Sequence, residues 1–168
     1  MSSRPSQTAG WPALIHSDAA AVALFDAVRS VAERSFFSVA EPGHDDVFHL
    51  EARRVPQWFT ATVQFEQDGL AGSVSCTVPE ILARTLFDAF TGRDPAEPLP
   101  STDLVVDVVG EFSNMVCGMW LTRVAGGHAF TLSRPRVTPA SHVGETGDVR
   151  VLAAIDDRPV AVDVCVRA

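Results

Sequence analysis

The sequence predicts an α+β fold, a mostly antiparallel six-stranded sheet with about three helices packed on one face. Three observations predict it. From Phe59 to Gln67 apolar and polar residues alternate, with Phe59, Ala61, Val63 and Phe65 on one face and Thr60, Thr62, Gln64 and Glu66 on the other. That period of two marks a half-buried strand. Asp68-Gly69 follows directly and is a strong hairpin signal. The remaining apolar segments divide into helix-periodic and strand-like runs in the order helix, three strands, helix, helix, three strands. That order implies hairpin-linked strands with helices gathered on one face of the sheet.

Each element has a local reason. Residues up to about Leu14 are rich in Ser, Pro and Gly and read as a loose arm. Ser17 or Asp18 can cap a helix running to about Phe37, in which Val22, Phe25, Val28, Ala32 and Phe36 recur at helical spacing. Glu41-Pro42-Gly43 ends it. Val47 to Arg53 is expected as a strand, interrupted at Pro56. The Asp68-Gly69 turn returns the chain as Leu70 to Val78. Pro79 suits the first turn of a second helix and Gly92 its C-terminal cap. A proline-rich loop, RDPAEPLPST, then delivers Ser101 or Thr102 as the cap of a third helix that ends at Gly126-Gly127. Phe130 to Val137, Val149 to Ile155 and Val160 to Val166 read as three more strands, the last two joined at Asp156-Asp157.

Composition bounds the function. At 168 residues the chain is expected to form a single domain spanning 1–168, long enough to bury roughly 70% of its unfolded surface. Hydrophobic residues make up 46% and mean hydropathy is +0.15, so the chain is globular and not disordered. A net charge of −8 argues against nucleic acid as a partner, which calls for a basic face. Three cysteines, Cys76, Cys117 and Cys165, are odd in number and far apart. They suggest neither a zinc site nor a disulfide framework, and Cys76 and Cys165 are expected as small core residues. No apolar run follows the first basic residue as in a signal peptide, and AAAVALF is too short to span a bilayer. A cytoplasmic protein with no membrane partner is expected.

The third helix carries the most information. Its segment DVVGEFSNMVCGMWLTR holds Asn114, which is the sole asparagine of the chain. Asparagine is a mediocre helix former because its amide competes for backbone hydrogen bonds, and no turn or cap needs it here. With Asp107 at zero on a helical wheel of ~100° per residue, Glu111, Asn114 and Gly118 fall within about 40° of it and Gly110 about 60° away. Val105, Val108, Val109, Phe112, Met115, Val116 and Met119 fill the opposite arc. The polar stripe has two readings. It can be a solvated outer face with Gly110 and Gly118 as packing sites. It can also be a contact face, in which the glycines let a partner's backbone approach Glu111 and Asn114.

The pattern Asp-x3-Glu-x2-Asn, formed by Asp107, Glu111 and Asn114, resembles the signature helix of the CheC/CheX/FliY family of chemotaxis phosphatases. The likeness extends upstream through LAGSVSCTVPEILARTLFDAFTGRDPAEP and downstream through FTLSRPRVTPASHV. It runs from about Phe59 to the C-terminus, while the N-terminal part fits only in outline. A single Glu-x2-Asn is the pattern of CheX; CheC and FliY usually carry two.

What the resemblance implies is a phosphatase acting on the phospho-aspartate of a CheY-type response-regulator receiver domain. Glu111 and Asn114 would be its catalytic pair. Asn114 would hold a water in line with phosphorus, and Glu111 would pair with the receiver's active-site lysine. Asp107, Gly110 and Gly118 would support docking. No metal or cofactor of its own is implied, and Mg2+ would belong to the receiver. The resemblance also implies a homodimer, for which the hairpin Val149 to Val166 is the expected contact. A catalytically silent, CheC-like module that docks a receiver or a flagellar-switch partner is the alternative.

Other chemistries find no support in the sequence. His16, His44, His49, His128 and His142 show no metal-ligand spacing, and GHDD at Gly43 to Asp46 reads as a turn. There is no GxSxG elbow. Ser113 lies about 100° round the helix from Asn114. Trp11, Trp58 and Trp120 read as packing residues.

Overall fold

The structure is a computed structural model and describes residues 18–55, 57–94, 96–126, 128–140 and 147–167. The expected N-terminal arm, Ser17, Trp11, His16, Pro56, Gly127 and His142 lie outside the described residues. The elements are α1 (Asp18–Ser35), β1 (Ala40–Pro42), α2 (Asp45–Arg54), β2 (Trp58–Gln67), β3 (Leu70–Pro79), α3 (Glu80–Thr91), α4 (Thr102–Ala125), β4 (Thr131–Leu132), β5 (Arg136–Ala140), β6 (Val149–Ile155) and β7 (Arg158–Arg167). All strand pairs are antiparallel. The seven strands form one sheet in the order β1-β6-β7-β3-β2-β4, and β5 also pairs with β2.

Two tight turns set the register. Gln67 pairs with Leu70 across Asp68 (φ 48°) and Gly69 (φ 85°). Ile155 pairs with Arg158 across Asp156 (φ 46°) and Asp157 (φ 63°). Two central residues with positive φ match the right-handed twist of the strands they join, and Asp and Gly tolerate that conformation. With register set, parity decides the faces. Phe59, Ala61, Val63 and Phe65 of β2, Val74, Cys76 and Val78 of β3 and Val160, Val162 and Val164 of β7 all enter one core with buried residues of α1, α3 and α4. The opposite face is polar at its centre. There Thr60 and Thr77 hydrogen-bond at 2.9 Å, and so do Thr62 and Ser75.

The α+β class with an antiparallel sheet stands, and three helices share one face. Several details differ from expectation. Val47 to Arg53, expected as a strand, lies in helix α2. Asp45 and Asp46 occupy its first turn and Arg53 and Arg54 its last, complementing the helix dipole. Its buried Phe48 packs against Trp58 (ring centroids 5.4 Å apart) and Ala161 on the polar side of the sheet. That second small cluster places α2 on the face opposite the other helices. The strand expected from Phe130 to Val137 is two short strands, because Ser133 to Pro135 leave the ladder. With β1 added, the sheet has seven strands among the described residues, where six were expected. Cys165, expected in the core, is exposed, since its position in β7 has the parity of the polar face. His44 to Asp46 start α2 where a turn was expected.

Candidate functional site

Helix α4 runs for 24 residues, about 36 Å at 1.5 Å per residue. It is held on several sides. Towards the sheet, the buried Ser113 Oγ donates a hydrogen bond to the Ala61 carbonyl at 3.0 Å. Towards α1, Phe112 meets Phe36 edge-on at 5.5 Å, the Trp120 indole N–H donates to the Ala20 carbonyl at 3.3 Å, and Arg123 pairs with Asp26 at 3.6 Å. Val105, Val109, Val116 and Leu121 are also buried. These anchors fix the helix's rotation about its axis, so the face left over is determined.

That face carries the stripe. Asp107 is exposed, and Glu111, Asn114 and Gly118 are partly exposed. Among the described residues, the side chains of Asp107, Glu111 and Asn114 have no hydrogen-bond or ion-pair partner. Glu111 and Asn114 lie three residues apart and therefore on neighbouring turns of one face. A carboxylate and a carboxamide thus stand together with unspent hydrogen-bonding capacity. Met115 and Met119, assigned to the apolar arc, are only partly buried and form an apolar shoulder beside the stripe.

The two glycines differ. Gly110 is buried, and a Cβ there would lie 3.1 Å from Pro135 Cβ and 3.5 Å from Val137 Cγ2. Its missing side chain makes room for this chain's own β4–β5 connection. A Cβ on Gly118 would meet nothing within 4 Å, so that position faces open space. The Pro135 contact carried no sequence signal, because it joins residues far apart in the chain.

Behind the stripe, burial pushes the thiols of Cys76 and Cys117 up to about 12. Neither supplies a thiolate near neutral pH. Among the described residues no three His, Cys, Asp or Glu side chains are grouped so as to hold a metal ion. By length and composition α4 could cross a membrane, but 56% of its apolar window is buried within the fold. In this structure it is a core helix.

The fold and the stripe together define a chemotaxis-phosphatase architecture. A family model described as chemotaxis phosphatase CheX matches residues 59–148, more than half of the chain, and the chain belongs to that family. No curated protein matches. Among solved structures, chemotaxis protein CheX from Vibrio vulnificus is similar with a TM-score of 0.69 at 17% identity, over 90% of this chain and 98% of that one. CheX from a Desulfovibrio desulfuricans subspecies is similar at 0.59 and 20% identity, over 88% and 99%. A CheX–CheY–BeF3–Mg2+ complex from Borrelia burgdorferi contains a similar chain at 0.60 and 15% identity, over 88% and 97%. These likenesses establish the fold.

Proposed function

We propose that this protein hydrolyses the phospho-aspartate of a CheY-type receiver domain, with Asn114 orienting the attacking water and Glu111 engaging the receiver's active-site lysine. The observation that carries the reading is the pair itself. Glu111 and Asn114 share an open face of a helix whose other sides are anchored, and neither side chain has a partner among the described residues. Family membership and the CheX–CheY complex from Borrelia burgdorferi support the choice of partner.

The chemistry asks little of the enzyme. An acyl phosphate is already a reactive electrophile, so no enzyme nucleophile is needed. What is needed is a water in line with phosphorus. A carboxamide accepts a hydrogen bond from that water and donates another, and it carries no charge to repel the phosphoryl group. Glu111 would form a charge-assisted contact with the lysine and set the docking register. Asp107, at the rim, is a supporting contact. Gly118 leaves room for the partner's backbone, and Gly110 seats Pro135. In this reading the divalent cation travels with the receiver, and both proteins meet in the cytoplasm. A homodimer would form at the β6–β7 hairpin. There β7 is interior to the sheet, while β6 is covered by β1 only at Ala153–Ile155 among the described residues.

The test is phosphate release from a phosphorylated receiver, with Asn114→Ala beside wild type. The variant is expected to lose acceleration while its stability changes by only about 0.5 kcal/mol, as for other surface substitutions. Full turnover by the variant would remove Asn114 from the mechanism. Tight receiver binding by wild type without turnover would make the protein a docking module.

A further inference from the structure

The face of the sheet opposite α4 holds a cavity of about 500 Å3 lined by Thr62, Gln64, Ser133, Arg134, Arg136 and Thr138. We propose that it binds a small, wholly polar oxyanion, a phosphate or pyrophosphate ester without an aromatic base. The inference is independent of the phosphatase reading, because the cavity lies across the sheet from Glu111 and Asn114.

Charge is the first argument. The chain carries 21 acidic residues against 13 arginines, and Arg84, Arg93, Arg123 and Arg150 are each held by a carboxylate. Arg134 and Arg136 have no such partner among the described residues. They stand two positions apart at one edge of the sheet, Arg134 in the β4–β5 connection and Arg136 at the start of β5, and both line the cavity. None of the six lining residues is acidic. Two arginines lining one cavity can offer their guanidinium forks to an anion with several oxygens.

Local order is the second argument. Ser133 Oγ accepts the Gln64 backbone N–H at 2.9 Å and donates to the Arg134 carbonyl at 3.1 Å, while the Ser133 N–H bonds the Gln64 carbonyl at 2.9 Å. On the other side of the cavity's floor, Arg136 is paired in register with Thr62. The backbone that carries both arginines is therefore fixed before any ligand arrives, which lowers the ordering cost of binding. The Gln64 amide and the Thr138 hydroxyl have no partner among the described residues and add neutral donors. The volume falls in the range of small-molecule pockets, about 300–1,000 Å3, and exceeds what one phosphate fills. None of the six lining residues is aromatic, so among the described residues a nucleobase would have nothing to stack on.

Calorimetric titration at low ionic strength tests this, with pyrophosphate and glucose 6-phosphate as probes and ATP for comparison. Saturable binding of at least one of the first two is expected, weakened ten-fold or more in the Arg134→Gln, Arg136→Gln double variant. Asn114→Ala should bind as wild type does, which separates this site from the proposed activity. If the double variant does not fold, Arg136→Gln alone should still weaken binding several-fold. Absence of saturable binding, or binding that the arginine variants leave unchanged, overturns the site. ATP binding tighter than pyrophosphate overturns the ligand class.

Discussion

Gly110 of α4 and Pro135 of the β4–β5 connection touch so closely that a methyl group on the glycine would lie 3.1 Å from the proline Cβ. The contact seats the edge of the sheet on the helix one residue before Glu111. It also explains why a residue that costs a helix about 1 kcal/mol relative to alanine occurs there. Gly118, two turns on, has no neighbour among the described residues that would exclude a side chain.

The two glycines should therefore respond oppositely to substitution. Gly118→Ala is expected to raise stability by about 0.5–1 kcal/mol through helix propensity alone. Gly110→Val is expected to lower it by about 1–3 kcal/mol through overpacking against Pro135. Urea unfolding of both variants checks the pair. If Gly118 also admits the partner's backbone, Gly118→Ala should weaken receiver binding while the protein becomes more stable. A loss of stability in Gly118→Ala would contradict the open space seen there.

Glu111→Gln keeps shape and removes charge. It is expected to weaken binding to a receiver carrying a stable phosphoryl mimic by about 1.5–3 kcal/mol, the scale of a charge-assisted hydrogen bond. Moderate salt should leave wild-type affinity roughly unchanged or slightly better. It screens the long-range repulsion between this acidic protein and the acidic pocket of a receiver's active site over about 8 Å at physiological strength, and screens a buried contact less. Calorimetry at two salt concentrations reads both effects. Unchanged affinity in Glu111→Gln would shift the carboxylate role to Asp107.

Thiol labelling should count one of three cysteines in the folded protein. Cys165 is exposed, while Cys76 and Cys117 are buried, with burial raising both thiols to about 12. An aromatic disulfide reagent at pH 8 should release about one equivalent without denaturant and all three with it, since thiolate fraction and access control the rate. Rapid labelling of two or more in native buffer would contradict the packing of α4 on β3.

Asp163 provides a pH signature. Burial raises its carboxyl above the ordinary value of 3.8, opposed by the Gly147 N–H and by Arg150. A carboxyl raised in the folded state holds its proton more tightly folded than unfolded. Its contribution to stability is therefore most favourable below 3.8 and declines as pH rises through the folded value. Asp163→Asn removes that titration. Its melting temperature relative to wild type should climb as pH goes from 3.5 to 7. A relative melting temperature that falls over that interval would mean the Arg150 pair, at 3.6 Å, outweighs desolvation.

Much of the fold was legible locally. The alternation of β2, both Asp-containing turns, Gly92 at the end of α3 (φ 67°) and the stripe of α4 follow from periodicity and turn chemistry, which act within a few residues. Helix α2 was not legible as a helix. Its apolar residues are few, and only its docking on Trp58 and Ala161 shows which face Phe48 serves. Cys165 was misplaced for a related reason. A strand pattern shows that two faces exist but not which one a neighbouring layer covers.

The candidate site divides in the same way. The sequence by itself determined that Asp107, Glu111 and Asn114 share one helix face, because 3.6 residues per turn follows from backbone hydrogen bonding alone. It also determined the α+β class, through hairpins whose turn residues act locally. Only the tertiary structure decided that this face is left open, because that depends on where Phe36, Ala61 and Ala20 meet the other sides of the helix. It alone separated Gly110 from Gly118, and it alone brought Arg134 and Arg136 beside Thr62 and Gln64. Those are contacts between distant segments, and they arise when burial of the core forces the layers together.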